Sequence, residues 1–280
     1  LYRARGVNRL WLLPPLMVAW VNLHGGFALG FILLMVMFVG ALIDLFRPGM
    51  ERKQRIRQAA WIGGIGLACA AATTVNPYGA QMLLYPFKTV SIGVLQNYIQ
   101  EWQSPNFHAR EAQVFIVLWL ATFGAAGFSR KRLEVTDFLL FAAFSALALL
   151  AGRNIAAFAV VAAPILMRYA DSVIAEAQER WPGLMLGNDR NVAFQKRLIV
   201  LNWVLLFVVV AAAAVKVSIP LQAAATEAAI MQTMPVGAAR YLKANPPPGL
   251  MFNSYNWGGY LIWWLPEYPV FVDGRTDLYA

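Results

Sequence analysis

Glu101 and His108 lie in one short polar stretch, "QEWQSPNFHAR", with Gln103, Ser104 and Arg110. A carboxylate beside an imidazole can take up and return a proton, so these two are the candidate acid–base pair. The plain alternative is a solvated loop. Arg153 and Asn154 form a second candidate, in "AGRNIAAF" between two apolar runs. An arginine at a membrane boundary must reach water, find a partner or hold an anion. Its planar fork suits a phosphate, and reaching water serves equally well. "NLHGGF" brings His24 to a glycine turn, and either caps helix ends there or meets a lipid head group. "VNPYG" offers Asn76 and Tyr78, followed by an apolar, aromatic segment that suits an interface anchor or the wall of a lipid groove. The last candidates are Trp257, Asp273 and Arg275 near the C-terminal end. His24 and His108 are the only histidines. That excludes a histidine-rich metal centre and leaves only a divalent metal held through carboxylates; no metal ligands are assigned.

The elements that must carry these groups are membrane helices. The chain has 280 residues, of which 60% are hydrophobic and 13% charged, with a mean hydropathy of +0.55. Soluble domains carry about 25% charged residues. The net charge of +9 does not indicate nucleic acid, because the basic residues sit in short clusters between apolar runs. The single cysteine, Cys69, lies inside an apolar run and allows no disulfide. No phosphate-binding glycine loop, zinc spacing or nucleophile elbow occurs. No signal peptide is read at the start, and both ends suggest a piece of a longer protein.

A helix crosses a bilayer with roughly 20 apolar residues. Seven stretches qualify as candidate spans: 10–23, 26–46, 59–75, 112–128, 135–152, 154–168 and 198–216. The first contains Pro14-Pro15, which suggests a kinked or partial crossing, and Asp137 near the start of the fifth can reach the interface. "GGIG" at 63–66, like Gly26 and Gly30, suits close helix packing. Basic residues set orientation. Arg3, Arg5 and Arg9, the run from Arg47 to Arg57, Arg130 to Arg132, and Arg168 to Arg197 all fall on one side. The sparser side holds Lys88, Arg110, Arg153, Lys216, Arg240, Lys243 and Arg275. The rich side is therefore cytoplasmic. The loop 76–111 and the tail 217–280 lie outside, and 169–197 is a cytoplasmic loop with an interfacial helix. Every candidate residue then faces outward.

The tail reads as a helix broken near Pro235, a stop at "NPPPG", a strand at "LMFNS" with Asn253 and Ser254 capping the turn after it, a short helix "WGGYLIWWL", and a strand "YPVFVD". The fold class expected is an α-helical polytopic membrane protein of about seven transmembrane helices. Residues 1–216 form the membrane domain, and 217–280 the beginning of a small extracytoplasmic α/β domain. Polar groups at strand ends are where α/β folds place ligands.

"YNWGGYLIWW…VFVDGRTDLY" resembles the start of the external domain of the oligosaccharyltransferase catalytic subunit. More broadly, "NLHGGF", "NPYG", "EWQSP" and "RN" make the chain similar to bacterial membrane glycosyltransferases of the GT-C fold, including relatives of the dolichyl-phosphate-mannose mannosyltransferases. The resemblance implies a polyprenyl-phosphate-linked sugar as donor, transfer on the outer face of the bacterial cytoplasmic membrane, and lipids rather than nucleic acid as partners. It implies substrate contacts at His24, Asn76, Tyr78, Arg153, Asn154, Trp257, Asp273 and Arg275. One departure stands out: the family has an acidic residue after the tryptophan, and here Gly258 follows Trp257. The family's catalytic Asp in its first external loop has no counterpart in this sequence. A transporter or lipid flippase and a non-catalytic scaffold with a partner-binding tail are the competing expectations. Ion-coupled carriers place charges near the bilayer midplane, and these spans are nearly free of them.

Overall fold

The apolar runs become helices. The computed structural model describes residues 8–47, 52–91, 99–181, 192–219 and 221–275. Arg3, Arg5, Arg190, Thr276, Asp277, and the portions 92–98 and 182–191 of the two long loops lie outside them. Chain contacts divide the protein into two units, Leu1–Met185 and Leu186–Ala280.

The first unit holds α1 (Leu13–Leu23), α2 (Ala28–Asp44), α3 (Arg52–Thr73), the short α4 (Tyr85–Ser91), α5 (Arg110–Phe128), α6 (Val135–Leu150) and α7 (Ile155–Arg180). Pro14 and Pro15 occupy the start of α1 and do not kink it, because the first helical turn has no internal acceptor for the missing N–H groups. α7 runs unbroken through Pro164 to Arg180. The expected break near residue 168, with a separate interfacial helix after it, is therefore replaced by one long helix.

Among the described residues, three helices are long and apolar enough to cross a bilayer: Gly25–Asp44, Gly152–Arg180 and Ile199–Ser218. Leu10–Leu23, Ala112–Phe128 and Val135–Leu150 are apolar but shorter. α3 opens with the basic residues Arg52, Lys53, Arg55 and Arg57.

α2 joins two packed groups. On one side Leu34 and Ala41 pack with Met17 and Val21 of α1 and Ile62, Ile65 and Cys69 of α3. On the other side Ile32, Leu33 and Val36 pack against the α5–α6–α7 core around Phe115, Phe144 and Phe158. Phe158 is fully buried. Its ring meets Phe115 edge-on at 5.0 Å and Phe141 at 5.7 Å. The tightest approach is at Gly40, where a Cβ would collide with the Thr136 hydroxyl of α6 and stand 3.2 Å from the Thr136 Cα. Of the "GGIG" glycines, Gly63 faces Phe38, while Gly64 and Gly66 face open space. The close-packing expectation therefore holds there for one residue only.

These pairings fix the direction of each helix. Asn8 receives the Trp61 indole N–H and Asn22 donates to the Val75 carbonyl, so α1 and α3 run the same way. Gly40 near the end of α2 meets Thr136 at the start of α6, so those two run oppositely. Phe115 and Phe158 both lie early in their helices, so α5 and α7 are parallel. One end of the unit consequently collects residues 22–27, 73–79, 100–110 and 150–154. The other end collects Asp44 to Arg47, Arg52 to Arg57, Arg130 to Asp137, and Arg168 to Arg180. The polar loops and the basic clusters thus occupy opposite ends, as the charge alternation requires.

The second unit contains α8 (Val192–Ser218), α9 (Ala223–Thr233), α10 (Val236–Ala244) and α11 (Gly258–Trp264). The described residues hold no β-strand, so an α/β domain is not formed in them. Where two strands were expected, the segments around residues 253 and 271 are held together by one side chain. Asn253 donates to the Val272 carbonyl at 2.7 Å and accepts from the Phe271 N–H at 2.8 Å. This amide substitutes for a backbone ladder, and it fits the marginal stability of a two-stranded pairing. It also corrects the capping expectation, since neither Asn253 nor Ser254 caps the following turn through its side chain.

Candidate functional site

The polar end of the first unit is built from turns at helix termini, and its side chains fall into two clusters. In the first, Asn22 donates to the Val18 and Val75 carbonyls, both at 2.8 Å, and ties the end of α1 to the end of α3. His24 accepts the Gly26 N–H on Nδ1 at 2.8 Å and caps the turn that leads into α2. The Gly25 position faces the Tyr85 ring at the start of α4. Asn76 donates to the Gly79 carbonyl and accepts the Tyr78 N–H. His24 and Asn76 thus hold the turn geometry, while the Tyr78 side chain is exposed.

The second cluster joins residues some fifty positions apart in the chain. The turn Gln100–Trp102 packs on the turn Gly152–Asn154. The Gly152 N–H donates to the Gln103 carbonyl at 3.0 Å. A Cβ on Gly152 would still leave 3.8 Å to that oxygen. Arg153 lies with its guanidinium carbon 4.5 Å from the centre of the Trp102 ring, the face on which a cation is attracted by the ring quadrupole. Its Nη1 is 3.6 Å from Glu101 Oε1. The Arg153 side chain is 32% exposed and that of Glu101 63%. Arg153 therefore both pairs and reaches water. Asn154 donates to the Leu147 carbonyl at 3.0 Å and caps the end of α6.

The expected acid–base pair is not assembled. The Glu101 carboxylate is with Arg153, whereas the exposed His108 sits in a turn set by its N–H to Asn106 Oδ1. Among the described residues, no three of His, Cys, Asp and Glu gather to hold a metal ion.

The second unit carries the remaining candidates. Asp273 is 2% exposed and accepts from the Arg275 N–H at 2.8 Å, its Nε at 2.9 Å and its Nη2 at 2.6 Å. The carboxylate is thus occupied by its own chain's arginine. Trp257 is partly exposed in the turn before α11. Gly258 lies so close to Asp273 that a Cβ would collide with the Val272 carbonyl and with the Asp273 Cα and Cβ. The position after Trp257 therefore leaves no room for a side chain.

Sequence reasoning missed a buried polar network at the opposite, basic end. Arg168 Nη1 is 3.0 Å from Asp137 Oδ2 and 2.9 Å from Glu134 Oε1. The Tyr169 hydroxyl donates to Asp137 Oδ2 at 3.1 Å and accepts the Glu134 N–H at 3.0 Å. The signal was present: Asp137 and Arg168 carry opposite charges at ends that the span alternation puts on the same side. No family model, curated protein or solved structure matches this chain.

Proposed function

We propose that the chain is, or is part of, a membrane glycosyltransferase of the GT-C type. It moves a sugar from a polyprenyl-phosphate donor to an acceptor hydroxyl on the extracytoplasmic face. The observation that carries the reading is Arg153, seated on Trp102 at the polar end and partly open to water. The resemblance of the short loop motifs and of the tail supports it. So does the segregation of basic clusters to the other end, which makes the polar end the outer one by charge asymmetry. On this reading the seven candidate spans cross, α1 being the shortest, α4 lies in the interface, and the tail 217–280 lies outside.

In the reaction the acceptor oxygen attacks the anomeric carbon while the bond from that carbon to the phosphate oxygen breaks. The hydroxyl proton passes to a carboxylate. The departing phosphate gains charge, and a guanidinium stabilises it. Arg153 takes that role. Glu101 is the carboxylate beside it, and His24, Asn76 and Tyr78 shape turns at the same end of the first unit.

The transport alternative gains one observation, the buried Asp137–Arg168 pair. Asp137 sits in the first turn of α6, away from the middle of that helix where coupling sites lie, while Arg168 reaches it from half-way along α7.

The test is sugar transfer by the full-length protein in vesicles containing a polyprenyl-phosphate-linked sugar. Transfer is expected, with donor binding weakened about tenfold or more in Arg153→Ala, the scale of a lost charged hydrogen bond. Absence of transfer overturns the enzyme reading. Unchanged donor affinity in Arg153→Ala removes the phosphate role.

A further inference from the structure

We infer that Glu101 is a built-in competitor for the Arg153 guanidinium, an internal anion that the departing polyprenyl phosphate must displace. The inference rests on the phosphate role just proposed for Arg153.

Three features support it. The ion pair is loose. At 3.6 Å, with no hydrogen bond between the side chains, Glu101 neutralises Arg153 without the two-pronged contact that a carboxylate can make. The Glu101 side chain is 63% exposed and so has water into which it can swing. The loop does not depend on the pair for its position. The Gly152 N–H to Gln103 carbonyl bond holds the two turns together through backbone atoms alone, and Trp102 supports the guanidinium from its face. Moving Glu101 away therefore leaves the arginine seated and its donor edge open.

The consequence is selectivity. Arg153 stands at the N-terminal end of α7, where the helix dipole also favours an anion. Without a resident carboxylate this position would attract any passing anion, lipid head groups included. With Glu101 in place, an anion gains only what it adds over a weak, solvated pair. The departing polyprenyl phosphate becomes a monoester as the anomeric bond breaks, with more charge than the donor, itself a phosphodiester, so it gains more at the fork than the donor, a phosphodiester lipid or a singly charged carboxylate does.

The experiment measures binding of a polyprenyl monophosphate to the full-length protein in phosphatidylcholine nanodiscs, for the parent protein, Glu101→Gln, Glu101→Asp and Arg153→Ala. Glu101→Gln keeps the shape and removes the charge. It is expected to bind about two- to fivefold more tightly, the range that corresponds to an exposed ion pair. It should also bind phosphatidylglycerol, a singly charged phosphodiester, measurably better than the parent does. Glu101→Asp is expected to resemble the parent. Weaker binding in Arg153→Ala with no gain, or a loss, in Glu101→Gln overturns the competitor role and leaves the phosphate role standing. Unchanged binding in Arg153→Ala overturns both.

Discussion

Arg168 of α7 holds Asp137 of α6 at 3.0 Å, with the Asp137 carboxylate only 3% exposed and the Tyr169 hydroxyl on the same oxygen. A carboxylate so placed depends on its partner. Removing one member of a buried pair leaves the other charge uncompensated, at a cost of about 3–5 kcal/mol. Arg168→Ala is expected to lower the apparent melting temperature in detergent more than Asp137→Asn does. In the asparagine variant Arg168 keeps Glu134 at 2.9 Å. The double variant should fall short of the sum of the two. Equal, additive losses would show that the pair is not coupled.

The helix pattern was legible because apolar runs near span length, bounded by basic clusters, leave few other solutions. That polar loops and basic clusters fall at opposite ends of the first unit was legible for the same reason. What was not legible depended on partners distant in the chain. Glu101 and Arg153 were both singled out, but their pairing with each other, and not Glu101 with His108, is set by two turns meeting across the bundle. His24, whose sequence context allows either a helix cap or a head-group contact, caps, and Asn76 and Asn154 likewise bond to helix-end backbone. A side chain that satisfies a terminal N–H or carbonyl looks, in sequence, like one that awaits a ligand. The strands of the tail failed for another reason. Their residue pattern suits extended chain, but two segments alone form little ladder, and Asn253 supplies the link.

At Gly40 the close approach of α2 and α6 leaves no room for a methyl group. Gly40→Ala is expected to force the helices apart and cost about 1–3 kcal/mol, as overpacking does. Thr136→Gly in the same chain should recover part of it. Gly64→Ala is the control: nothing lies within 4 Å of that position, and alanine is the better helix former by about 1 kcal/mol. It should leave the melting temperature unchanged or raise it. A loss at Gly64 equal to that at Gly40 would contradict the packing described.

In the tail, Gly258→Ala meets the Val272 carbonyl and the Asp273 backbone, while Asn253→Asp puts an acceptor against the Val272 carbonyl in place of a donor. Each is expected to loosen the segment 253–273. An unsatisfied buried group costs about 1–3 kcal/mol. Limited proteolysis should cut this segment faster in both variants, with no change in the first unit. A cleavage rate matching the parent protein in both would contradict the close packing of Gly258 and the linking role of Asn253.

The whole account depends on which end of the bundle faces outward, and labelling measures that directly. In a Cys69→Ala background, Ser104→Cys places a thiol on the exposed polar loop and Lys131→Cys places one at the exposed basic end. A membrane-impermeant maleimide applied to intact spheroplasts is predicted to label residue 104 at once and residue 131 only after lysis. Labelling of residue 131 in intact cells, with residue 104 protected until lysis, would contradict the account.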